Sequence, residues 1–411
     1  MMRRFHALDA VNFLLADVRG ALGPFLNVFL VTQQGWSQSA VGVVTTVGGL
    51  LALAGQAPAG ALIDATRAKR GLLVVALVIL GAGTTVIFAL PDFWPVLAAN
   101  TLLSIVGDLF APAVAALTLG LFVRSRLSGQ MGRNSAFDHA GNVFVALAAG
   151  MVGRFYGQRA VFLLGPVFAG LAILAVLAIP PDAIDHDRAR GADDGKASRG
   201  GWRTVARCRP LMVFALCVML FHFANAPLLP LVGQKLAAAN PGWATAMMSS
   251  CIVAAQLVML PVALLSGRYA ASWGRKPVLL IGFGILPVRA VLYTVSDDPA
   301  WLIGIQLFDG VGAGVLGVLM PLVVADLMRG TGHYTLALGV VASAQGVGAS
   351  LSGLAAGLAV DHLGYGPAFL GLAAAAALAL AALLVLLPET GRPDEEAGGN
   401  EGALVGSSVP D

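Results

Sequence analysis

Long apolar stretches follow one another along almost the whole chain, and each approaches the length that crosses a membrane. A helix needs roughly 20 mostly apolar residues to span the hydrocarbon core. Backbone polar groups in lipid must be satisfied inside the spanning segment, so the sequence predicts an all-helical integral membrane protein. We predict twelve transmembrane helices over residues 8–31, 40–63, 71–90, 95–122, 135–156, 160–180, 210–232, 244–266, 277–296, 301–328, 335–360 and 367–388.

The small number of charged residues excludes a water-soluble protein of this length. Of the 411 residues, 58% are hydrophobic and 11% are charged, whereas soluble domains carry roughly 25% charged residues. The net charge is only +3, and we expect no nucleic-acid partner. The lipid bilayer is the expected environment, and we expect a monomer.

Lys and Arg are distributed very unevenly between the two predicted sides of the membrane. Of the 25 basic residues, 20 fall on the side that holds the N-terminus, the even-to-odd connections and the tail. The other side has only Arg154, Arg159 and Lys235. Because cytoplasmic loops carry the excess of Lys and Arg, we predict that both termini are cytoplasmic, in the inner membrane of a bacterium.

The chain matches itself when it is shifted by 207 residues, which indicates two tandem copies of a six-helix unit. The matched pairs include Trp36 with Trp243, Trp94 with Trp301, Gly150 with Gly357, Gly157 with Gly364 and Pro181 with Pro388. Within each half, Gly60 and Gly150 have the same spacing as Gly267 and Gly357, which favours nested inverted three-helix repeats. We predict an N-terminal half over 1–181, a flexible cytoplasmic linker over 182–209, a C-terminal half over 210–388 and a disordered tail over 389–411.

A short motif stands between the second and third predicted helices. It reads Gly60-Ala-Leu-Ile-Asp64-Ala-Thr-Arg67-Ala-Lys69-Arg70. A second copy runs from Gly267 to the basic pair Arg275 and Lys276, with Ala271 at the position of the Asp. The eleventh predicted helix ends in the related sequence Gly357-Leu-Ala-Val-Asp361-His-Leu-Gly364.

With these motifs, the chain resembles the major facilitator superfamily over essentially its whole length. The resemblance implies a 6+6 helix arrangement and a latch between the two halves on the cytoplasmic side. It assigns to that gate Gly60, Asp64, Arg67, Lys69, Arg70, Gly267, Arg275 and Lys276. We add Asp326, which we expect to pair with Arg275 or Lys276. The fifth helix lacks the Gly-Pro motif of many drug–proton antiporters, so the resemblance to that branch is weaker.

Ionisable residues inside the predicted helices are candidate functional residues, because a charge in the membrane is costly. They are Asp17, Arg19, Asp108, His222, Arg289 and Asp309. All except Arg289 lie in helices 1, 4, 7 and 10, which by the resemblance line a central cavity. Arg289 and Asp309 lie at similar depths, so a static ion pair is an equal alternative to a role in substrate binding.

Polar residues extend these charged positions along the same helix faces. Asn27 follows Asp17, Asn225 follows His222, and Gln306 precedes Asp309 at helical spacing. Gln256 and Gln345 add hydrogen-bonding groups in helices 8 and 11. For His222 the alternative is a simple hydrogen bond to a backbone carbonyl, and we interpret Asp138 and His139 as facing the cytoplasmic surface.

These features predict a secondary transporter of a small organic solute, coupled to protons, with Asp108 as the protonation site. The alternatives are a drug or metabolite exporter working as a proton antiporter and, more distantly, a membrane receptor without transport activity. No motif of a hydrolase, metalloenzyme or nucleotide-driven pump occurs in the sequence. We therefore predict neither enzymatic activity nor a metal or other cofactor.

Overall fold

The computed structural model describes residues 2–16, 22–66, 68–122, 124–185, 201–328, 331 and 333–390. This part of the chain contains helices and short connections and no strand. The α-helices are α1 (Met2–Ala16), α2 (Leu22–Thr32), α3 (Gln38–Ala65), α4 (Lys69–Ala89), α5 (Phe93–Leu121), α6 (Arg124–Tyr156), α7 (Leu164–Leu177), α8 (Gly201–Arg207), α9 (Arg209–Asn225), α10 (Leu228–Ala239), α11 (Ala244–Ser272), α12 (Arg275–Leu292), α13 (Pro299–Ile305), α14 (Leu307–Leu327), α15 (Tyr334–Leu363) and α16 (Tyr365–Leu386).

Nine helical segments of the described residues are long and apolar enough to cross a membrane. They are Gln38–Gly55, Lys69–Ala89, Phe93–Leu121, Gln158–Leu177, Arg209–Ala239, Pro241–Ala270, Pro299–Leu327, Leu336–Leu363 and Tyr365–Leu386. The all-helical prediction is thereby confirmed for the described residues. The other three predicted spans fall on α1 with α2, on α6 and on α12, which are helical but shorter or more highly charged.

The predicted spans over 210–232 and 301–328 are each divided between two α-helices, at points away from their centres. The span predicted over 210–232 divides at Pro227 into α9 and α10, and α10 continues to Ala239. Proline lacks the backbone N–H that a continuous helix needs, which explains the break. The span predicted over 301–328 divides at Gln306, where the Asp309 N–H donates to the Gln306 carbonyl in a tighter turn.

Part of the segment predicted as a flexible linker is helical. Residues 186–200 lie outside the described residues, but α8 occupies 201–207 and corrects the prediction there. Val205 is buried among C-terminal helices while Trp202 stays exposed, so α8 is held by its one apolar side. Of the predicted tail, only Glu389 and Thr390 are described, and Glu389 accepts backbone N–H groups at the start of α12.

The helix ends define two faces of the molecule. The linker face holds α8, the start of α12 and Glu389. The opposite face, called the distal face here, holds the start of α3 and the connection between α15 and α16. On this distal face Gly157 and Gly364 both have φ of +88°, a left-handed conformation that favours glycine. These two glycines are partners at the 207-residue offset, so the repeat extends to backbone conformation at this turn.

The buried side chains form separate cores along the chain. One large core is built only from residues between Ala7 and Ile184, and another only from residues between Val205 and Leu387. We call α1–α7 the N-terminal half and α9–α16 the C-terminal half. A smaller cluster on the distal side joins them, with Phe25 and Val28 of α2 packed near Met248 of α11.

Candidate functional site

The first seam between the two halves is formed by α3 and α15, which approach so closely that small residues are required. A Cβ atom on Gly42 would lie 2.6 Å from the backbone oxygen of Gly353. The Thr46 hydroxyl donates to the Ser350 carbonyl at 2.6 Å and accepts the Leu354 N–H at 3.2 Å. Small residues allow such approach in membrane helices, where packing rather than water drives association.

The distal end of this seam is closed by a carboxylate that caps a helix of the other half. Asp361 of α15 accepts the backbone N–H of Gln38 at 2.9 Å and that of Ser39 at 2.7 Å. The Gln38 side chain donates to the Tyr365 hydroxyl at 3.0 Å. A carboxylate at a helix N-terminus satisfies free N–H groups and opposes the positive end of the helix dipole. These contacts form what we call the distal gate.

Neither Asp361 nor Gln38 was predicted to be a functional residue. The sequence does contain one indication that Asp361 is a gate residue, because its spacing from Gly357 repeats that of Asp64 from Gly60. The cap itself joins residues more than 300 positions apart, and a single sequence does not show such a pairing.

The second seam joins α6 and α11. Thr245 lies against Gly153 and Ser249 against Gly150, so a Cβ on either glycine would overlap a hydroxyl-bearing side chain. Deeper in the bundle, His139 Nδ1 and Gln256 Oε1 are 3.2 Å apart. Gln256 is therefore in contact with the other half, and the interpretation of His139 as a surface residue is corrected.

Both seams run from the distal face to about the middle of the bundle. Along α3 the contacts extend from Gln38 to Leu53, whose side chain lies against Gly346. Fifteen residues of helix correspond to about 22 Å, which is about half the length of the 28-residue helix α3. The two halves are thus joined through the distal part of the molecule.

A cavity of about 200 Å³, lined by both polar and apolar residues, lies between the halves near the distal gate. Its polar lining residues are Asn27, Gln38, Thr45, Gln234 and Ser352. No lining residue carries a charge. Asn27, one of the predicted site residues, is therefore placed here, and the buried Oε1 atom of Gln234 has no hydrogen-bond partner in the described part of the chain.

The residues predicted for the cytoplasmic latch make bonds within their own halves where their side chains are described. Arg70 donates to the carbonyls of Val176 and Leu177 at the end of α7. Arg275 pairs with Asp326 at 2.9 Å, as expected from the sequence. Lys276 donates to the Leu384 carbonyl, Lys69 is buried, and a Cβ on Gly267 would have ample room. Arg67 and the side-chain surroundings of Gly60 and Asp64 lie outside the described residues.

A further ion pair near the linker face joins α1 to α6. Arg133 donates to both carboxylate oxygens of Asp9, at 2.8 and 2.6 Å. Asp9 lies inside the predicted first span and is buried, yet it was not among the predicted site residues.

The strongest buried charge interaction is in the C-terminal half. Arg289 of α12 is 2% exposed and donates to Asp309 of α14 and, at 3.0 Å, to Asn225 of α9. The predicted ion pair is thus present, and Asn225 joins it. Three helices of one half meet at this guanidinium, and its other nitrogens have no hydrogen-bond partner among the described residues.

The remaining candidates fall into different surroundings. His222 Nδ1 is 3.0 Å from the Val218 carbonyl, which agrees with the simpler alternative. Gln306 is fully buried, with neither amide atom paired within the described residues. Asp108 and Gln345 are partly buried, and Asp108 has no ion-pair partner in the described part of the chain. Asp17 and Arg19 lie outside the described residues.

Comparison with known proteins identifies the family. The model of the Major Facilitator Superfamily matches residues 8–237 and 211–408. This chain belongs to the major facilitator superfamily. An MFS-type transporter of Mycobacterium tuberculosis is 46% identical over 391 residues, which cover 93% of each chain. A putative sugar efflux transporter of Deinococcus radiodurans is 25% identical, over 94% of this MFS chain and 98% of its own.

Solved transporter structures share the fold of this MFS chain. The nucleoside transporter NupG superposes with a TM-score of 0.76 over 93% of this chain and 98% of its own, at 13% identity. A POT family transporter in complex with a peptide conjugate gives a TM-score of 0.74 over 93% of this chain and 95% of its own, at 12% identity. The family model and the 46% identical relative establish the family, which supports a role in solute transport.

The Arg289–Asp309 pair predicts a characteristic pattern of stabilities. Removing one partner of a buried pair leaves an uncompensated charge and costs about 3–5 kcal/mol. We expect Arg289→Met to lower the free energy of unfolding in detergent by that amount, and Asp309→Leu in the same chain to restore most of it. Lys235→Met is the control, because its partner Asp297 is 81% exposed. If Lys235→Met lost as much stability as Arg289→Met, the Arg289–Asp309 pair would not have the structural role that its burial indicates.

The distal gate predicts a change in accessibility. Ser352 is buried beside the distal cavity, so a cysteine there reports opening of the seam. In a Cys208→Ser, Ser352→Cys background, Asp361→Ala should increase the rate of maleimide labelling about fivefold, since a lost N-cap costs about 1 kcal/mol. Asp297→Ala, a distal carboxylate away from the seam, should leave the rate unchanged. An unaltered rate for Asp361→Ala would show that the cap does not hold the gate.

Proposed function

We propose that this chain is a secondary transporter that moves a small, uncharged polar solute across the cytoplasmic membrane of a bacterium by alternating access. The observation that carries the proposal is the pair of seams between the halves, which are closed from the distal face to mid-bundle. Each half has its own hydrophobic core, and the two halves contact each other through the seams on the distal side. Alternating access by rocking of one half against the other around a central site requires this arrangement.

The proposed membrane topology has twelve spans. It adds to the nine apolar segments the helices α1 with α2, α6 and α12, which have charged residues at or near their ends. We assign the linker face to the cytoplasmic side, because 20 of the 25 basic residues fall on that side in the topology predicted from the sequence. The linker and both termini are then cytoplasmic, and residues 1–181 and 210–388 are the two rocking halves.

The distal cavity supports an uncharged polar substrate. Five amide and hydroxyl side chains line it together with apolar residues, and no charged side chain is among them. One buried amide oxygen there, of Gln234, is unpaired in the described part of the chain. A site of this kind hydrogen-bonds a neutral solute and offers nothing to balance an ionic one. Two related proteins agree in chemistry, since one is named a nucleoside transporter and the other a putative sugar efflux transporter.

Asp108 is the proposed coupling residue. The ionisable cluster of the C-terminal half is paired, whereas Asp108 has no ion-pair partner among the described residues. Burial favours the neutral form of a carboxylate and contact with water favours the charged form. Alternating access changes both conditions, so an unpaired carboxylate takes up and releases a proton within one cycle.

Export of a sugar-like metabolite in exchange for protons is a second candidate. The Deinococcus radiodurans relative, similar over almost its full length, is named as an efflux protein. The direction of the proton gradient that drives accumulation distinguishes the two candidates.

The proposed topology predicts opposite accessibility of two cysteines in a Cys208→Ser background. Asp297 is 81% exposed on the distal face, and Trp202 is 68% exposed on the linker face. A membrane-impermeant maleimide should label Asp297→Cys in intact cells and Trp202→Cys only after permeabilisation. The reverse pattern would overturn the assignment of the linker face to the cytoplasm.

The proposed coupling predicts separable effects in proteoliposomes. Uptake of radiolabelled nucleosides and sugars is measured with a pH gradient of either direction and without one. Wild type should accumulate a solute of this class inside the vesicles under only one direction of the gradient. A symporter accumulates it when the outside is acidic, and a proton antiporter accumulates it when the inside is acidic. Asp108→Asn should lose this accumulation and retain exchange of labelled for unlabelled solute, because binding is preserved.

Asp297→Asn is the matched control, since it removes a carboxylate outside the membrane. Normal gradient-driven accumulation by Asp108→Asn would make Asp108 structural and move the coupling site elsewhere, with Asp309 the next candidate. Failure of the wild type to move any solute of the panel would contradict the proposed substrate class.

A further inference from the structure

An apolar groove of about 600 Å³ runs along the outer surface of the second seam, between α6 and α11. Leu147, Met151, Phe155 and Leu257 are among its lining residues, and each is at least half exposed. The groove therefore faces outward, toward the lipid, and is separate from the cavity between the halves. Its two walls belong to different halves of the molecule.

Polar chemistry is confined to the distal end of this groove. Ser249 and Ser250 also line it, but their hydroxyls donate to the Thr245 and Ala246 carbonyls of their own helix. At the distal end, the Arg154 guanidinium lies 4.7 Å from the ring centre of Trp243. Trp and Arg are the residues that mark the boundary between lipid tails and headgroups.

Arg154 differs from the other basic residues of the distal face in having no acceptor. Lys235 pairs with Asp297, and Arg159 donates to the carbonyls of Phe88 and Ala89. In the part of the chain that the structure describes, Arg154 contacts the Trp243 ring and no carboxylate or carbonyl. An exposed cation at the mouth of an apolar groove is complementary to an anionic headgroup with a hydrocarbon tail.

The internal repeat reinforces this complementarity. Shifted by 207 residues, Arg154 corresponds to Asp361, and the start of α11 corresponds to the start of α3. In the first seam the carboxylate of Asp361 caps the helix. In the second seam the equivalent residue is a cation, and α11 follows directly on the short 3-10 turn Pro241–Trp243 with no side-chain cap. A guanidinium beside the N-terminal end of a helix attracts an anion from outside the protein.

The length of the groove suits a lipid chain. Trp243 and Leu257 are 14 residues apart on one helix, or about 21 Å. Half of the hydrocarbon core is about 15 Å thick, so a groove of that length takes an acyl chain from the headgroup level past the centre of the membrane.

We propose that this seam groove binds one anionic phospholipid of the leaflet on the distal face, with its phosphate on Arg154 and an acyl chain between α6 and α11. A zwitterionic lipid brings its own ammonium group to the phosphate and competes less well. Because the walls belong to both halves, a bound lipid holds the second seam closed, as Asp361 holds the first.

Native mass spectrometry tests the proposal on the full chain, released from nanodiscs of equimolar phosphatidylglycerol and phosphatidylethanolamine. The measured quantity is the ratio of the two lipids retained on the protein. Wild type should retain phosphatidylglycerol preferentially, and Arg154→Gln should lower its retained fraction about fivefold. Arg159→Gln removes the same charge from the same face and should leave the ratio unchanged, as should the charge-preserving Arg154→Lys.

A second pair of variants tests the acyl chain. Ala254→Phe fills the groove and should reduce retention of both lipids, whereas Ala377→Phe adds the same bulk at an exposed position of α16, away from the groove. A wild-type lipid ratio in Arg154→Gln would overturn the phosphate assignment. Undiminished retention in Ala254→Phe would overturn the groove as the site of the chain. Neither result depends on the solute that the protein transports.

Discussion

The backbone N–H groups at the start of α3 need an acceptor, and the acceptor comes from the other half of the molecule. Asp361 supplies both carboxylate oxygens, at 2.9 and 2.7 Å. Separating the halves at the distal face therefore uncovers N–H groups and a carboxylate together. An N-cap contributes about 1 kcal/mol, whereas inverting a two-state population from 1:99 to 99:1 needs about 5.5 kcal/mol. The cap therefore favours the closed state without making closure irreversible. The packing of small residues below the cap stabilises the closed state further.

Charged groups inside the bundle divide into two kinds, and the division follows from pairing. Arg289, Asp309 and Asn225 meet within one half, so rocking of the halves leaves their contacts intact. Such a cluster fixes the relative positions of α9, α12 and α14. Asp108 has no ion-pair partner in the described residues. The burial cost that makes intramembrane charges rare is compensated by pairing at Arg289–Asp309 and at Arg133–Asp9, whereas Asp108 is the carboxylate that we propose for proton coupling.

The sequence was sufficient for features that depend on local pattern. Apolar length predicted the helices, and spacing along helices placed Asn225 with His222 and Gln306 with Asp309. It also identified Arg289 and Asp309 as possible partners, because their depths follow from helix direction. The break between α9 and α10 also has a cause in the local sequence, Pro227, although one continuous span was predicted there. The helix at 201–207 was missed because its charge and glycine content resemble those of a flexible segment, while Val205 alone holds it to the core.

Contacts between the halves could not be predicted from the local sequence pattern. The hydrogen bond from Gln38 to Asp361 and the approach of His139 to Gln256 join helices that are far apart in sequence. Their residue types are unremarkable in isolation, and only the packing of small residues at Gly42, Gly150 and Gly153 brings the helices near enough. The predicted latch on the linker face had strong motif support, yet Arg70 and Arg275 bond within their own halves in this conformation.

The repeat explains why the two seams are alike in packing and unlike in chemistry. A shift of 207 residues exchanges α3 with α11 and α6 with α15, so each seam is the counterpart of the other. Duplication alone would place the same residue at both distal ends, but the second seam has Arg154 where the first has Asp361. An arginine has no acceptor for backbone N–H groups, so this end of the second seam lacks the side-chain cap that Asp361 gives to the first. One seam is then closed by the protein and the other by the membrane around it, which makes the closed state sensitive to the lipid in which the protein lies.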